Sequence, residues 1–251
     1  MSFLKKNLAN GFTLLNMFLG FAGVINVLYH DEVTGCYLLM LAAVFDLLDG
    51  FVARMLKTTS TLGKQLDSFS DLVSFGLLPA VIIHSLLLRS HQTWVYVLTF
   101  YDVPVVSFFP FIILAATALR LARFNEDSSQ DHYFKGLPCP ANGLFIASLP
   151  LILRSDLYIS GYNTIYLEKY IMNSWVLISI SLILSILMIS RIPLMNLKFS
   201  NLNIKKNYPR YILILSFLIC CFFFYFLSIP IIISFYVFLS LIFKKKIITI
   251  D

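Results

Sequence analysis

Residues 45–76 read FDLLDGFVARMLKTTSTLGKQLDSFSDLVSFG, and four aspartates, Asp46, Asp49, Asp67 and Asp71, stand there in otherwise apolar sequence. Asp46, Asp49, Gly50, Ala53 and Arg54 fall at offsets 0, 3, 4, 7 and 8, one face of a helix. Gly63, Asp67, Asp71 and Ser74 fall at offsets 0, 4, 8 and 11, a second such stripe. The polar stretch Lys57 to Lys64 between them reads as a short loop. The spacing predicts two helices that, lying antiparallel, turn four carboxylates towards one gap. That much negative charge in a low-dielectric setting needs a countercharge. Oxygen ligands suit hard divalent cations, so magnesium, manganese or calcium are its natural partners.

Outward from this stretch the chain reads as a membrane protein. Of its 251 residues 59% are hydrophobic and 13% charged, and the mean hydropathy is +0.85. A soluble chain of this size carries more polar surface. The expected fold is an all-α polytopic transmembrane helical bundle of about eight spans. They are read at Gly11–Tyr29, Cys36–Leu56, Gln65–Leu88, Val103–Arg123, Ala141–Leu153, Ser174–Ser190, Tyr211–Leu227 and Ile229–Phe243. Ser2 to Asn10 reads as an interfacial segment, Asn163 to Asn173 as a polar outer loop, and the break between the last two spans falls near Pro230. Residues 1–190 form the membrane domain, and residues 191–251 add a basic loop and two further spans. Lys5 and Lys6 before an apolar run mimic a signal peptide. The run continues to about Tyr29, so it reads as a retained first span.

The net charge of +6 points to basic cytoplasmic loops rather than to nucleic acid. With the N-terminus inside, only Arg89, Arg154 and Lys169 of the 19 lysines and arginines fall outside. Both termini and the aspartates, at the inner ends of spans two and three, are therefore expected on the cytoplasmic side of the inner membrane. Cys36, Cys139, Cys220 and Cys221 lack zinc spacing, and His30, His84, His91 and His132 are scattered; none is given a role.

Carboxylates inside a membrane segment are expensive and mark function, an ion path or a structural pair. A transporter or channel is one reading, but it leaves the neighbouring residues without a purpose. Gly50 and Ala53 leave room for a ligand against the helix backbone. Arg54 offers a guanidinium fork for phosphate oxygens, and Gly63 permits a turn or close packing. Two metal ions about 3.5–4 Å apart can neutralise a pyrophosphate.

The pattern D-x2-D-G-x2-A-R-x8-G-x3-D-x3-D, running from Asp46 to Asp71, resembles the signature of the CDP-alcohol phosphotransferases. These membrane enzymes move a substituted phosphoryl group from a CDP-linked donor to an alcohol. The resemblance implies that Asp46, Asp49, Asp67 and Asp71 hold divalent metal, magnesium or manganese, as two ions. It also implies that Gly50, Arg54 and Ser60 bind the donor, with Gly63 beside them, and that Asp71 is the general base. The run NLANGFTLLNMFLG from Asn7 is similar to the family's opening P-N-x-L-T-x-x-N through Asn10, Thr13 and Asn16, with Ala9 in place of proline and Phe12 in place of leucine. It implies donor contacts at Asn10 and Thr13, although helix capping by Asn10 explains the same residues.

Within the family, LGKQLDSFSDLVSFGLLPA, RLARFN and FKGLPCPANG look like the phosphatidylserine synthase subgroup. Ser68 and Leu72 stand where glycerophosphate-using relatives carry proline and lysine. The resemblance implies CDP-diacylglycerol and L-serine as substrates and a homodimer; glycerol 3-phosphate, inositol or an amino alcohol stay open as acceptors. Ser74, Arg120 and Arg123 read as acceptor contacts, the arginines facing a carboxylate, though positive-inside anchoring accounts for them as well. Asn125, Lys135 and the Pro138–Pro140 loop read as a cover over the site. The resemblance covers Asn7 to Leu153 and leaves the last two spans without a role.

Overall fold

A computed structural model describes residues 2–56, 60–90, 92–126, 134–154, 164–195 and 204–243. Helices α1 (Ser2–Leu28) and α2 (Glu32–Leu56) form an antiparallel hairpin. At its turn His30 takes a left-handed φ of 68°, and Asp31 Oδ1 accepts from the Thr34 backbone N at 3.0 Å, capping α2. Hydrogen bonds from the Thr34 side chain and backbone hold the Asp31 carboxyl below the usual carboxylate range.

The third rod is continuous over Thr61–Arg89, 29 residues. It consists of α3 (Thr61–Asp71), a π-helical turn (Leu72–Leu77) and α4 (Leu78–Arg89). Ser60 caps it, its Oγ accepting from Gly63 N at 3.1 Å. A small hairpin, β1 (Thr99–Phe100) with β2 (Val103–Pro104), turns through Tyr101 and Asp102, both at positive φ. Then come α5 (Phe111–Glu126), α6 (Cys139–Arg154), α7 (Thr164–Ile171), α8 (Ser174–Ile189), α9 (Ile204–Phe224) and α10 (Ser228–Ile242). Strand β3 (Phe134–Lys135), before α6, pairs antiparallel with β4 (Pro193–Leu194), after α8.

Small residues set how these helices meet, as expected where lipid-like surroundings give apolar packing little driving force. Ser70 Oγ and Ser74 Oγ on the third rod donate to the carbonyls of Thr13 and Asn16 on α1, each at 2.9 Å. Gly20 lies against Ser74, and a Cβ there would run into the Ser74 hydroxyl. The core is built from α2, the third rod and α6, with Leu39, Phe75, Leu78, Ile82 and Ile146 fully buried. Buried Glu32 accepts from Ser85 Oγ at 2.8 Å and pairs with Arg89 at 3.0 Å, locking the start of α2 to the end of α4.

The architecture is the all-α membrane bundle that composition predicts. Among the described residues, five stretches are long and apolar enough to cross a membrane: Leu8–Leu28, Glu32–Leu56, Thr61–Arg89, Val105–Glu126 and Tyr208–Ile242. The predicted fifth and sixth spans become α6 and α8, 16 residues each; at 1.5 Å per residue that is about 24 Å, short of a hydrocarbon core of about 30 Å. Tyr208–Ile242 is two legs rather than one. Tyr225 takes a φ of 46°, and the Tyr208 and Phe243 rings at the two far ends meet with centroids 5.3 Å apart. The break thus falls at Tyr225–Leu227 rather than at Pro230, which sits in the first turn of α10, where a missing N–H is tolerated. Ser2 to Asn10, expected as a separate interfacial segment, continues α1, and α7 occupies most of the expected outer loop. Lys57, His91, His132, Asn163, Lys198 and Lys244 to Lys246 lie outside the described residues.

Candidate active site

Asp46 and Asp49 occupy the last turns of α2, and Asp67 and Asp71 lie on the facing side of α3. Helical periodicity sets each pair on one face of its helix, and the packing of the third rod turns the two faces towards one another. Asp46, Asp49 and Asp67 each offer a carboxylate oxygen, and these oxygens lie within 4.8 Å of one another. Asp49 is 6% exposed, and its Oδ2 has no hydrogen-bond partner among the described residues. Clustered carboxylates with a buried, unsatisfied oxygen fit a hard divalent cation, which supplies both the countercharge and the missing partner. Asp71 stands beside this triad, its carboxyl meeting that of Asp46. Asn16 Nδ2 on α1 donates to Asp71 Oδ1 at 3.5 Å. The π-helical turn begins at the next residue, a placement common at functional sites.

A groove of about 520 Å³ opens beside two of the triad, Asp49 and Asp67. Asn10, Thr13, Gly50, Arg54, Ser60 and Gly63 line it, with Asp49 and Asp67 at its acidic end. All six residues read as donor contacts therefore share one surface. Two glycines shape it. A Cβ on Gly63 would lie 3.1 Å from Ser60 Oγ and 3.3 Å from Asn10 Oδ1, so glycine lets these two polar groups converge. Beside Gly50 the nearest group is the Arg54 guanidinium, at 3.5 Å from a Cβ position, which leaves the α2 backbone open to the groove. Lys64 also lines the groove and ties it to α5, its Nζ donating to Asn125 O at 3.2 Å while Asn125 Nδ2 donates to Ser68 Oγ at 2.8 Å.

The three residues read as acceptor contacts do not line this groove. The Ser74 hydroxyl is fully buried and committed to Asn16 O, so helix packing accounts for it. Arg120 Nη1 donates to Lys135 O at 2.7 Å and Met188 O at 3.1 Å, and Arg123 Nη1 donates to Ile189 O at 3.2 Å. The last carbonyls of α8 lack intrahelical partners and recruit both guanidinium groups. Gly136 completes this joint. Its φ is +75°, its N donates to Ile192 O at 2.9 Å, and Leu137 N donates to Leu187 O at 3.0 Å. The Lys135–Pro140 stretch thus docks on α8.

Sequence reasoning left two residues without a role. Asn16 fits the opening motif, but only the fold brings its amide to Asp71. Asn142, one turn into α6, is fully buried with neither amide atom hydrogen-bonded among the described residues. The run GLPCPANG flagged the neighbourhood, but an amide between prolines and glycine gives no sign of burial.

Comparison with known proteins meets this geometry. A family model described as CDP-alcohol phosphatidyltransferase matches residues 6–187. The chain is similar to proteins named CDP-diacylglycerol–serine O-phosphatidyltransferase. The one from Helicobacter pylori (strain J99) is 32% identical over 212 residues, covering 83% of this chain and 78% of the relative. That from Saccharomyces cerevisiae is 34% identical over 167 residues, 60% of this chain, and the match spans about half, 56%, of the yeast protein's length. A Bacillus subtilis relative is 30% identical over 142 residues, covering 55% of this chain and 71% of the relative. The matched segment holds the whole triad and its groove, and the chain belongs to the CDP-alcohol phosphatidyltransferase family.

Proposed function

We propose that this chain transfers the phosphatidyl group of CDP-diacylglycerol to L-serine, giving phosphatidylserine and CMP. The observation that carries the reading is the carboxylate triad of Asp46, Asp49 and Asp67, of which Asp49 and Asp67 line the acidic end of the Asn10–Arg54–Ser60 groove. The names of the similar proteins supply the donor and the acceptor. Asp46, Asp49 and Asp67 would hold divalent metal, magnesium or manganese, whose chemistry when bound is to neutralise the pyrophosphate. We take the number as two, with Asp71 beside Asp46 completing the ligand set.

The remaining work falls to the chain's own groups. Arg54 presents its fork to phosphate oxygens, and Gly50 lets the pyrophosphate approach the α2 backbone. Asn10, Thr13, Ser60 and Gly63 hold the nucleotide side. The serine hydroxyl oxygen attacks the lipid-bearing phosphorus, and Asp71 takes its proton late in the step, when that proton is most acidic. The bond from that phosphorus to the bridging oxygen breaks, and CMP leaves with the bonding pair.

The proposal places the enzyme in the cytoplasmic membrane, termini and triad facing the cytosol, on the strength of the charge bias along the chain. It includes a homodimer, checked by the mass of the detergent-solubilised protein. The decisive assay gives purified protein CDP-diacylglycerol, magnesium or manganese, and one alcohol at a time. CMP release with serine alone is the expected result. Release only with glycerol 3-phosphate or inositol overturns the acceptor, and release with none would return the aspartates to an ion path.

A further inference from the structure

Helices α9 and α10 lie beyond residues 6–187, the segment the family model matches, and the family resemblance leaves them without a role. Much of α10 has the surface of a lipid-facing helix, with Phe238, Leu241 and Ile242 exposed. Tyr236 and Ser240 differ. They stand four residues apart on one stripe, and both are buried. Tyr236 Oη donates to Met195 O at 2.9 Å, and Met195 N donates to Ser240 Oγ at 3.2 Å. One helix thus takes both backbone groups of a single buried residue. Apolar packing on α6 would keep α10 in the bundle without any hydroxyl. Two hydroxyls aimed at one residue fix where that residue sits.

Met195 directly follows β4, whose Pro193 and Leu194 pair with Lys135 and Phe134 of β3. Gly136 N donates to Ile192 O and extends that ladder. The Lys135 carbonyl accepts in turn from Arg120 Nη1. Tyr236, Ser240, Met195, the two strands and Arg120 therefore form one hydrogen-bonded series from the last helix to the end of α5. A ladder of two residues per strand is marginal by itself, so its outer end needs a brace. Three cations depend on it: Lys135 stands on β3, Arg191 two residues before β4, and Arg120 hangs on the Lys135 carbonyl. A short carboxylate is gripped by such groups only when their spacing is fixed.

We propose that Tyr236 and Ser240 are positioning residues for the acceptor alcohol. By holding Met195 they brace the β3–β4 joint, and the joint sets how Arg120, Lys135 and Arg191 stand towards the serine carboxylate. The donor groove is built on α1, α2 and α3 and does not share this brace. The last two helices therefore act on one substrate and not on the other. The inference rests on the proposed function for the identity of the acceptor.

The test measures CMP release by the full chain in detergent micelles with manganese, varying serine and CDP-diacylglycerol separately. Tyr236→Phe combined with Ser240→Ala should raise KM for serine about tenfold, the weight of one buried hydrogen bond, with KM for CDP-diacylglycerol unchanged. Leu239→Ala thins the packing of the same helix and touches neither bond to Met195. It should lower Tm yet leave KM for serine as in the wild type. Ser234→Ala, a hydroxyl on another face of α10, should change neither. An unchanged KM for serine in the double variant overturns the inference. So does a rise of both KM values together, or a serine effect of the same size in Leu239→Ala, since either makes the hairpin a stabiliser only. If the wild type releases CMP only with another alcohol, the serine reading fails, and the same split read with that alcohol still decides the brace.

Discussion

Asp49 is a buried and Asp71 a half-buried carboxylate of one cluster, and their surroundings assign them different work. Asp49 has an unsatisfied oxygen in the triad, whereas Asp71 is oriented by Asn16 and adjoins Asp46. Asp49→Ala should therefore abolish binding of manganese, read by electron paramagnetic resonance. Asp71→Asn should lower kcat by about 10²–10⁴-fold, the range for loss of a general base, while CDP-diacylglycerol still binds. Equal turnover in Asp71→Asn would remove it as the base. Gly20 acts without touching the site: Gly20→Val would push α1 off Ser74 and carry Asn16 away from Asp71. A loss of about 1–3 kcal/mol in stability is expected from such overpacking, read by thermal unfolding, together with a fall in kcat. The four aspartates, Gly50 and Arg54 were legible in the sequence because helical spacing sets them on two stripes, whereas Asn10, Thr13 and Ser60 were legible as donor contacts only through the family resemblance. Arg120 and Arg123 were not. Besides Lys135 O, which Arg120 reaches, their partners are the carbonyls of Met188 and Ile189, more than sixty residues away, and nothing local announces these two.

The elements differ in how openly they declare themselves. Long apolar runs with few charges define α1, α2 and the third rod, and their lengths leave little choice of fold. The stretch TIYLEKYI of α7 is short, carries two charges, and has no membrane-length signature. The Thr99–Pro104 hairpin hides at the start of what reads as span four, because its turn uses Tyr101 and Asp102 at positive φ rather than glycine. The β3 joint is held by Gly136, where a Cβ would lie 2.6 Å from Met188 O, 2.7 Å from Ser190 O and 2.8 Å from Leu187 O. Gly136→Ala combines that crowding with a left-handed φ, and roughly 1–3 kcal/mol of destabilisation is expected, seen as a Tm lowered by several degrees. An unchanged Tm would mean that the joint between Lys135 and α8 is not structural.

At the scale of the whole molecule, orientation is the property on which the proposed chemistry depends, since the nucleotide comes from the cytosol. Tyr101, 89% exposed in the hairpin, and Thr61, exposed at the start of the third rod, lie at opposite ends of the bundle. In a background lacking the four native cysteines, Tyr101→Cys should react with a membrane-impermeant maleimide in intact cells. Thr61→Cys should react only after permeabilisation, and the reverse pattern would invert the topology. Membrane class and charge bias were legible from composition. The shortness of α6 and α8 was legible too, since the spans read at Ala141–Leu153 and Ser174–Ser190 are close to the helices Cys139–Arg154 and Ser174–Ile189.

The π-helical turn after Asp71 makes the third rod two helices running out of phase. One surplus residue rotates whatever precedes it by about 100° relative to whatever follows, since an α-helix advances one turn in 3.6 residues. The half buried in the core keeps its own azimuth, and the half bearing Asp67 and Asp71 is clocked independently towards α2. Deleting Val73 would bring both halves back into step and swing the two carboxylates off the gap. No side chain of the site would change, the protein would still insert and fold around the same core, and CMP release should fall as far as it does in Asp71→Asn.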